Sequence, residues 1–235
     1  MNPHLSVVIP CYNEAGKVEN DIRAALEYFG SQPYSFELIL VDDGSADGTG
    51  PLLEAACRAA GPHARAICYR PNRGKGCAVR TGMLQATGRY RLFADAGLCV
   101  PYSETGKGLS LLETGADVAI ASRKLAQSQV TEKQAGYRRI GSSVFGLLVR
   151  GWMGLRYSDT QCGFKLFTAQ AAERLFSAAR IDGFMFDAET LINARKFGLT
   201  VKEFPVEWRA DPDSRYKPFT GSFRNLLELV RIQLQ

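Results

Sequence analysis

Residues 36–49 read FELILVDDGSADGT, an apolar run that ends in a cluster of polar residues. The run at 36–41 predicts a buried strand, and 42–45 predicts the turn that closes it. A helix is predicted to follow at about 49–60. A strand, a polar turn and a helix in this order form the repeating unit of a parallel sheet that is covered by helices on both faces.

The same alternation extends over the first half of the chain. Apolar runs predict further strands at 5–9, 64–69, 90–94 and 118–121. Helical spacing predicts helices at 14–29, 76–86 and 104–114. We therefore predict an α/β fold with a mainly parallel central sheet flanked by helices, and with amphipathic helices near the C-terminus.

The composition bounds the class of protein. The chain has 235 residues, a formal net charge of +5, six cysteines and two histidines, and its hydrophobic and charged contents exclude a disordered chain. The cysteines are scattered without a Cys-x-x-Cys pair, which argues against a zinc site or a disulfide framework and favours a reducing compartment. Apolar runs fall short of the roughly 18–20 residues that a membrane helix needs, so we expect a soluble or peripheral protein.

Each predicted strand ends in a polar cluster. The clusters occupy 10–14, 42–49, 72–76, 95–97 and 122–123. Because ligands bind beyond the carboxyl ends of parallel strands, we expect these clusters to form one site. Asp42 and Asp43 require a cation or hydrogen-bond donors nearby, since two carboxylates in one turn repel each other. Ser45 and Thr49 have helix capping as an alternative role.

Two phosphate-binding motifs are excluded by the same clusters. A dinucleotide-binding fold has Gly-x-Gly-x-x-Gly after its first strand, where this chain has PCYNE. A P-loop has Ser or Thr directly after its lysine, whereas Lys75 is followed by Gly76. This sheet edge therefore carries neither of these two phosphate-binding patterns.

Several of these segments resemble a known family. PCYNE at 10–14, VDDGSADGT at 41–49 and NRGKG at 72–76 resemble signatures of the inverting family 2 glycosyltransferases, which have the GT-A fold. DTQCGFK at 159–165 and FMFDAE at 184–189 are similar to the polyprenyl-phosphate hexosyltransferase branch, which includes dolichyl-phosphate glucosyl- and mannosyltransferases. The resemblance implies a single domain over 1–235, with a nucleotide-sugar-binding half at 1–123 and an acceptor- and membrane-facing half at 124–235.

The resemblance also implies roles for individual residues. The nucleotide-sugar donor would contact Pro10, Tyr12, Glu14, Val41, Asp43, Lys75, Asp95, Ala96 and Arg123. The catalytic residues would be Asp95, Arg123 and Asp159, and the acceptor or phosphate contacts would be Gln161, Arg215 and Lys217. Fixed cations suit a reaction in which the leaving diphosphate gains negative charge. The alternatives are that Asp159 orders its loop and that Asp187 and Glu189 cap a helix.

The metal motif departs from the family pattern. The family has Asp-x-Asp after its fourth strand, with both carboxylates near Mg²⁺ or Mn²⁺, whereas this chain has Asp95, Ala96 and Gly97. Cys99 follows, although these hard cations prefer oxygen ligands. We still expect a Mg²⁺ or Mn²⁺ cofactor at Asp95, completed by the donor diphosphate. The alternatives are weak metal dependence, or a larger role for the basic residues Lys75, Arg123, Arg215 and Lys217.

The basic excess is concentrated in residues 123–156. This segment has seven basic residues and one acidic residue, a net +6, so the remainder of the chain sums to −1. Apolar residues lie between the charges, a composition typical of a segment that meets an anionic lipid surface. A core helix with a solvated basic edge is the alternative. Residues 222–235 carry a second apolar stripe, which would dock on the core, on a partner or on the bilayer.

Three functions are compatible with these features. The first is inverting transfer of a hexose, glucose before mannose, from a nucleotide-diphosphate sugar to a polyprenyl phosphate such as dolichyl or undecaprenyl phosphate. The second is a family 2 transferase with a non-lipid acceptor, and the third is a catalytically impaired nucleotide-sugar-binding protein. We expect the first, in a peripheral protein on the cytoplasmic face of a membrane, and no nucleic acid partner.

Overall fold

The computed structural model describes residues 2–132, 151, 154–210 and 222–233. The strands are β1 (Leu5–Cys11), β2 (Phe36–Asp42), β3 (Ala64–Cys68), β4 (Tyr90–Ala94), β5 (Val118–Ser122), β6 (Gln129–Glu132), β7 (Phe164–Thr168), β8 (Val201–Pro205) and β9 (Glu207–Arg209). The helices are α1 (Val18–Gly30), α2 (Thr49–Ala60), α3 (Lys75–Gln85), α4 (Thr105–Glu113), α5 (Ala169–Ala178), α6 (Phe186–Lys196) and α7 (Ser222–Gln233). Arg215, Lys217 and most of the segment 123–156 lie outside the described residues.

One sheet of seven strands organises this part of the chain, in the order β3-β2-β1-β4-β7-β5-β8. The pairs among β1 to β4 and the pair of β5 with β8 are parallel, whereas β7 runs antiparallel between β4 and β5. Phe164 at the start of β7 therefore pairs with Ala94 at the end of β4. This antiparallel strand brings the residues that precede it to the edge where the parallel strands end.

Alternate side chains of the sheet fill two buried apolar layers. Val7 and Ile9 lie in the layer that also contains the apolar faces of α1, α2 and α4. Val8 lies in the opposite layer, with the apolar faces of α3, α5, α6 and α7. Helices on both faces are the reason for the near-continuous apolar runs of the strands, and they leave the carboxyl edge of the sheet for polar loops.

The predicted mainly parallel α/β fold is confirmed, and it differs from the prediction at the start of α1 and in the strands that follow β5. α1 begins at Val18 rather than at residue 14, and the backbone N–H groups of Asn13 and Glu14 donate to the hydroxyls of Ser45 and Thr49. β7 was not predicted, since its pairing with β4 and β5 joins segments that are far apart in the sequence. The first difference leaves the polar loop at 10–14 at the carboxyl edge, and the second adds the residues that precede β7 to that edge.

α7 docks on the core, which was one of the alternatives for residues 222–235. Glu228, Leu229 and Ile232 are buried, whereas Leu227 and Val230 are 47% and 39% exposed. The buried face of this helix therefore differs from the apolar stripe that the sequence suggested. Within the described part of the chain, no helix combines the length and the apolar character needed to cross a bilayer.

Candidate active site

The first two polar clusters, 10–14 and 42–49, are joined by hydrogen bonds. Ser45 Oγ accepts a hydrogen bond from Asn13 N at 2.8 Å, and Asn13 Oδ1 accepts one from Ala46 N at 2.8 Å. Thr49 Oγ1 accepts one from Glu14 N at 2.8 Å. The residue that caps α2 is Gly48, which forms no side-chain cap. Helix capping is therefore not the role of Ser45 and Thr49; their hydroxyls hold the loop after β1.

The loop after β1, held by these hydrogen bonds, carries Tyr12 at the surface. Tyr12 is 43% exposed, a suitable position for packing against a planar base. Pro10 and Glu14 are partly buried beside it, and Glu14 forms an ion pair with Lys17 at 3.3 Å. Val41 is completely buried in the core layer. Pro10, Tyr12 and Glu14 are thus at least partly exposed, whereas the Val41 side chain is enclosed in the core.

The Asp43 carboxylate is hydrogen-bonded by residues of the loop that follows β3. Its buried carboxylate accepts hydrogen bonds from Tyr69 Oη at 2.8 Å, Asn72 Nδ2 at 2.7 Å, Arg73 N at 2.9 Å and Gly74 N at 2.9 Å. Burial and this hydrogen bond raise the pKa of the Tyr69 phenol. The donors that two adjacent carboxylates require are thus present, and Asp43 anchors the loop that leads into α3.

Asp43→Ala is expected to lower the free energy of unfolding by about 2–4 kcal/mol, because it leaves several buried donors without an acceptor. Urea unfolding measures this difference. Glu27→Ala, a change to an exposed carboxylate on α1, serves as the control and should stay within about 0.5 kcal/mol of the wild type. A loss below about 1 kcal/mol for Asp43→Ala would contradict the anchoring role.

Lys75 and Asp95 form an ion pair at the ends of the central strands. Lys75 Nζ lies 2.7 Å from Asp95 Oδ1, and the two side chains are 24% and 30% exposed. Desolvation lowers the pKa of Lys75, but the charges of Asp95 and Asp187 outweigh it and the pKa is raised. Lys75 therefore remains a cation at neutral pH, at the carboxyl edge of the sheet.

Gly163 gives the Asp95 carboxylate its space. The backbone N–H of Asp95 donates to Gly163 O at 2.8 Å, and a Cβ at Gly163 would collide with the Asp95 carboxylate. Only glycine permits this approach. The segment 159–165, which precedes and begins β7, is therefore built into the same site as the end of β4.

Arg123 and Asp159 form a second ion pair, with two parallel hydrogen bonds. Arg123 Nε lies 2.6 Å from Asp159 Oδ2, and Nη2 lies 2.9 Å from Oδ1. Burial raises the pKa of Asp159, but the charge and hydrogen bonds of Arg123 outweigh it and lower the pKa to about 2. The guanidinium lies 5.3 Å from the centre of the Trp208 ring. Asp159 thus fixes the orientation of a cation, and it also orders its own loop by accepting from Gln161 N at 3.2 Å.

Three groups that support the site, the partly buried Glu203 and the buried Lys165 and Asp187, were not predicted in these roles. Glu203 of β8 accepts hydrogen bonds from Ser158 N at 3.0 Å and from Asp159 N at 3.2 Å, so it holds the Asp159 loop. Lys165 and Asp187 form a buried ion pair next to Lys75. The only sequence signal for Glu203 was a charged residue within the strand VKEFP.

Asp187 and Glu189 do not cap α6. The residue at the start of that helix is Met185, which forms no side-chain cap. The Asp187 carboxylate pairs with Lys165, and the Glu189 carboxylate accepts from Arg180 N and Ile181 N at 2.9 Å each. Both carboxylates therefore connect α6 to neighbouring segments.

The comparison with known proteins agrees with this geometry. The family model "Glycosyl transferase family 2" matches residues 6–176. The chain belongs to that family. It is 30% identical over 245 residues to a dolichyl-phosphate beta-glucosyltransferase of Dictyostelium discoideum, covering 100% of this chain and 75% of the relative. It is 33% identical over 247 residues to the human dolichyl-phosphate beta-glucosyltransferase, covering 98% and 75%.

Solved structures of other glycosyltransferases show the same fold. Glucosyl-3-phosphoglycerate synthase from Mycobacterium tuberculosis, in complex with Mn²⁺, UDP and glucosyl-3-phosphoglycerate, superposes with a TM-score of 0.67. The identity is 20%, and the match covers 99% of this chain and 79% of that chain. For this family 2 glycosyltransferase, the predicted family, GT-A fold and enzyme class are confirmed. The roles of individual site residues stay predictions.

In the described part of this family 2 glycosyltransferase, Asp95 is the carboxylate at the predicted metal motif. Among the described residues, no group of three or more His, Cys, Asp and Glu side chains could hold a metal ion. The position of the second carboxylate of the motif is taken by Gly97. Its φ is +94°, a backbone conformation in which an aspartate would be strained. Asp95 can supply one oxygen ligand, which fits a Mg²⁺ or Mn²⁺ ion that takes its other ligands from a diphosphate and water.

The lowered pKa of Asp159 predicts an acid-dependent loss of stability. Its pKa falls from 3.8 to about 2 on folding, so the contribution, about 2 kcal/mol, is fully present above pH 3.8 and is lost as the pH falls towards 2. Urea unfolding between pH 4 and pH 2 should show a steeper loss for the wild type than for Asp159→Asn. Glu27→Gln, at an exposed carboxylate, should follow the wild type. Parallel curves for the wild type and Asp159→Asn would contradict the ion pair.

Proposed function

We propose that this chain transfers glucose from UDP-glucose to dolichyl phosphate or a related polyprenyl phosphate, with inversion at the anomeric carbon. The supporting observation is a pair of oriented cations, Lys75 and Arg123, at the carboxyl edge of the sheet. This site occurs in a chain whose relatives, matched over nearly its whole length, are dolichyl-phosphate beta-glucosyltransferases. GDP-mannose is the second candidate donor.

The donor would lie across the ends of β1, β2 and β4, in the half of the chain that spans 1–123. Tyr12 would pack against the base, and Pro10, Glu14 and Ala96 would border the nucleoside and diphosphate. Asp43 would act by holding the loop that carries Lys75. Lys75 would neutralise charge on the diphosphate, which increases as the bond to the sugar breaks.

The acceptor would approach from the half that spans 124–235. A phosphate monoester is already anionic at neutral pH, so it needs alignment and desolvation rather than a general base. Arg123, held in one orientation by Asp159, would face the phosphates at the reacting centre. Gln161, Arg215 and Lys217 would supply the further acceptor and phosphate contacts.

A divalent metal would assist the leaving group. Mg²⁺ or Mn²⁺, when bound, supplies positive charge to the diphosphate, and Asp95 would hold it by one carboxylate oxygen. With one carboxylate, more of the neutralisation would fall on Lys75 and Arg123. A thermal shift with UDP, with and without Mn²⁺, tests this, because a ligand that binds the native state raises its stability. If activity is unchanged in EDTA, the proposal of a divalent metal cofactor is refuted.

Membrane association would be peripheral and on the cytoplasmic face. The segment 123–156 carries +6, and α7 exposes Leu227 and Val230 beside the exposed Arg231. Basic and apolar groups together bind anionic lipid surfaces. Flotation with vesicles that contain anionic lipid, compared with neutral vesicles, tests the contact.

The test of the activity uses the purified full chain with radiolabelled UDP-glucose and dolichyl phosphate in detergent. We expect label in an organic-extractable, acid-labile product, and more of it than from labelled GDP-mannose. If the label instead appears in a water-soluble product when a soluble acceptor is added, the enzyme uses a non-lipid acceptor. UDP binding without transfer to any acceptor would indicate a catalytically impaired binding protein.

A further inference from the structure

The loop between α5 and α6, residues 179–185, packs against the start of α3, where Lys75 lies. The backbone N–H of Cys77 donates to Asp182 O at 3.2 Å, which satisfies one of the free N–H groups at this helix start. A Cβ at Gly76 would collide with the backbone of the same loop. The loop therefore touches α3 on the residues that flank Lys75, so a shift of the loop would move this lysine.

Glu228 of α7 holds the other side of this loop. Its buried carboxylate accepts a hydrogen bond from Met185 N at 3.2 Å, and a Cβ at Gly183 would collide with it. Phe184 lies between these two contacts, and the centre of its ring is 6.0 Å from Lys75 Nζ. The three consecutive residues of the loop thus connect a carboxylate on α7 with the cation of the donor site.

The burial of this carboxylate calls for a role other than docking. Burying a carboxylate costs free energy unless it accepts hydrogen bonds, and an apolar residue would serve as well for packing beside Leu229 and Ile232. A hydrogen bond to one backbone N–H, by contrast, fixes a loop in one place. Glu228 therefore has the properties of a group that orients the loop.

We propose that Glu228 is a positioning residue for donor binding, which acts on Lys75 through the segment 183–185. The inference rests on the proposed function, since it takes Lys75 to contact the donor diphosphate. Glu228 does not touch the donor itself. The C-terminal helix thereby carries the exposed residues Leu227 and Val230 on one face and a support of the donor site on the other.

A double-mutant cycle tests the proposal, with UDP as the probe and calorimetry of the full chain as the measurement. Glu228→Ala should weaken UDP binding about tenfold, whereas Glu228→Gln, which keeps an oxygen for Met185 N, should weaken it less than about threefold. In a Lys75→Ala background, Glu228→Ala should have no further effect beyond about twofold. Additive losses in the cycle would overturn the proposal, since they would mean that Glu228 does not act through Lys75.

Two controls separate this role from a general loss of structure. Glu113→Ala, at an exposed glutamate that ends α4, should leave UDP binding unchanged, and circular dichroism should show the same fold for all variants. Hydrogen exchange should be faster at the backbone N–H groups of Met185 and Cys77 in Glu228→Ala than in the wild type. Unchanged exchange at Cys77 would overturn the proposal.

The exchange measurement also distinguishes the two possible failures. If the wild type binds no UDP, the donor in the proposed function is wrong, and the connection from Glu228 to α3 is still read from the exchange at Cys77. If the wild type binds UDP and Glu228→Ala binds it equally well, the positioning role of Glu228 is wrong, whereas the proposal of a UDP-sugar donor is retained.

Discussion

Arg123→Lys is expected to lower kcat by about a hundredfold while the protein remains folded. The planar guanidinium makes two bonds to Asp159, at 2.6 and 2.9 Å, and stacks near Trp208. An ammonium keeps the charge but cannot form the parallel pair or the stack, so it would no longer be held in one orientation. Steady-state kinetics that separate kcat from the KM of the donor measure the effect.

The matched control is Arg58→Lys, at an exposed position near the end of α2, which should retain wild-type kinetics. Asp159→Asn should resemble Arg123→Lys, and the double variant should be no slower than either single one, because the two residues act as a unit. A kcat within threefold of the wild type, at unchanged melting temperature, would show that this pair lies away from the reacting centre.

The alternation of strands and helices could be predicted because it is a local property of the sequence. The runs that became β1, β2, β4 and β5 are largely buried and therefore read as apolar stretches, whereas the edge strand β3 is only partly buried. The hydrogen bonds that Asn13 N and Glu14 N donate to Ser45 and Thr49 could not be predicted, since they join segments that are far apart in the sequence. β7 depends on long-range pairing with strands on both sides, which no local pattern reports.

The site shows the same division. Polar clusters at strand ends predicted that Lys75, Asp95 and Arg123 lie at one edge of the sheet, because the topology of a parallel sheet determines where strand ends meet; their roles stay predictions. The sequence did not show that the Asp43 carboxylate accepts hydrogen bonds from the backbone of the loop that follows β3. A single carboxylate on a distant element, such as the partly buried Glu203 or the buried Glu228, has no periodic signal, so its contact becomes visible only in three dimensions.

Lys75→Met is expected to have the largest effect, a loss of about a thousandfold in kcat/KM for the donor. Methionine fills the space of the aliphatic stem but removes the cation that pairs with Asp95 at 2.7 Å. Asp95 would then repel the donor diphosphate instead of being neutralised, and the charge that develops on the leaving group would lose its nearest fixed cation. Kinetics with increasing donor concentration separate the two effects, since the first raises KM and the second lowers kcat.

The control for Lys75→Met is Lys202→Met, at an exposed position on β8, which should keep wild-type kinetics. Lys75→Arg should recover part of the loss, because it restores the charge but not the size of the ammonium. If Lys75→Met lost less than tenfold, the diphosphate would have to lie away from the ends of β1 and β4. Arg123 would then be the principal cation of the site, and the coupling of Glu228 to donor binding would disappear with the role of Lys75.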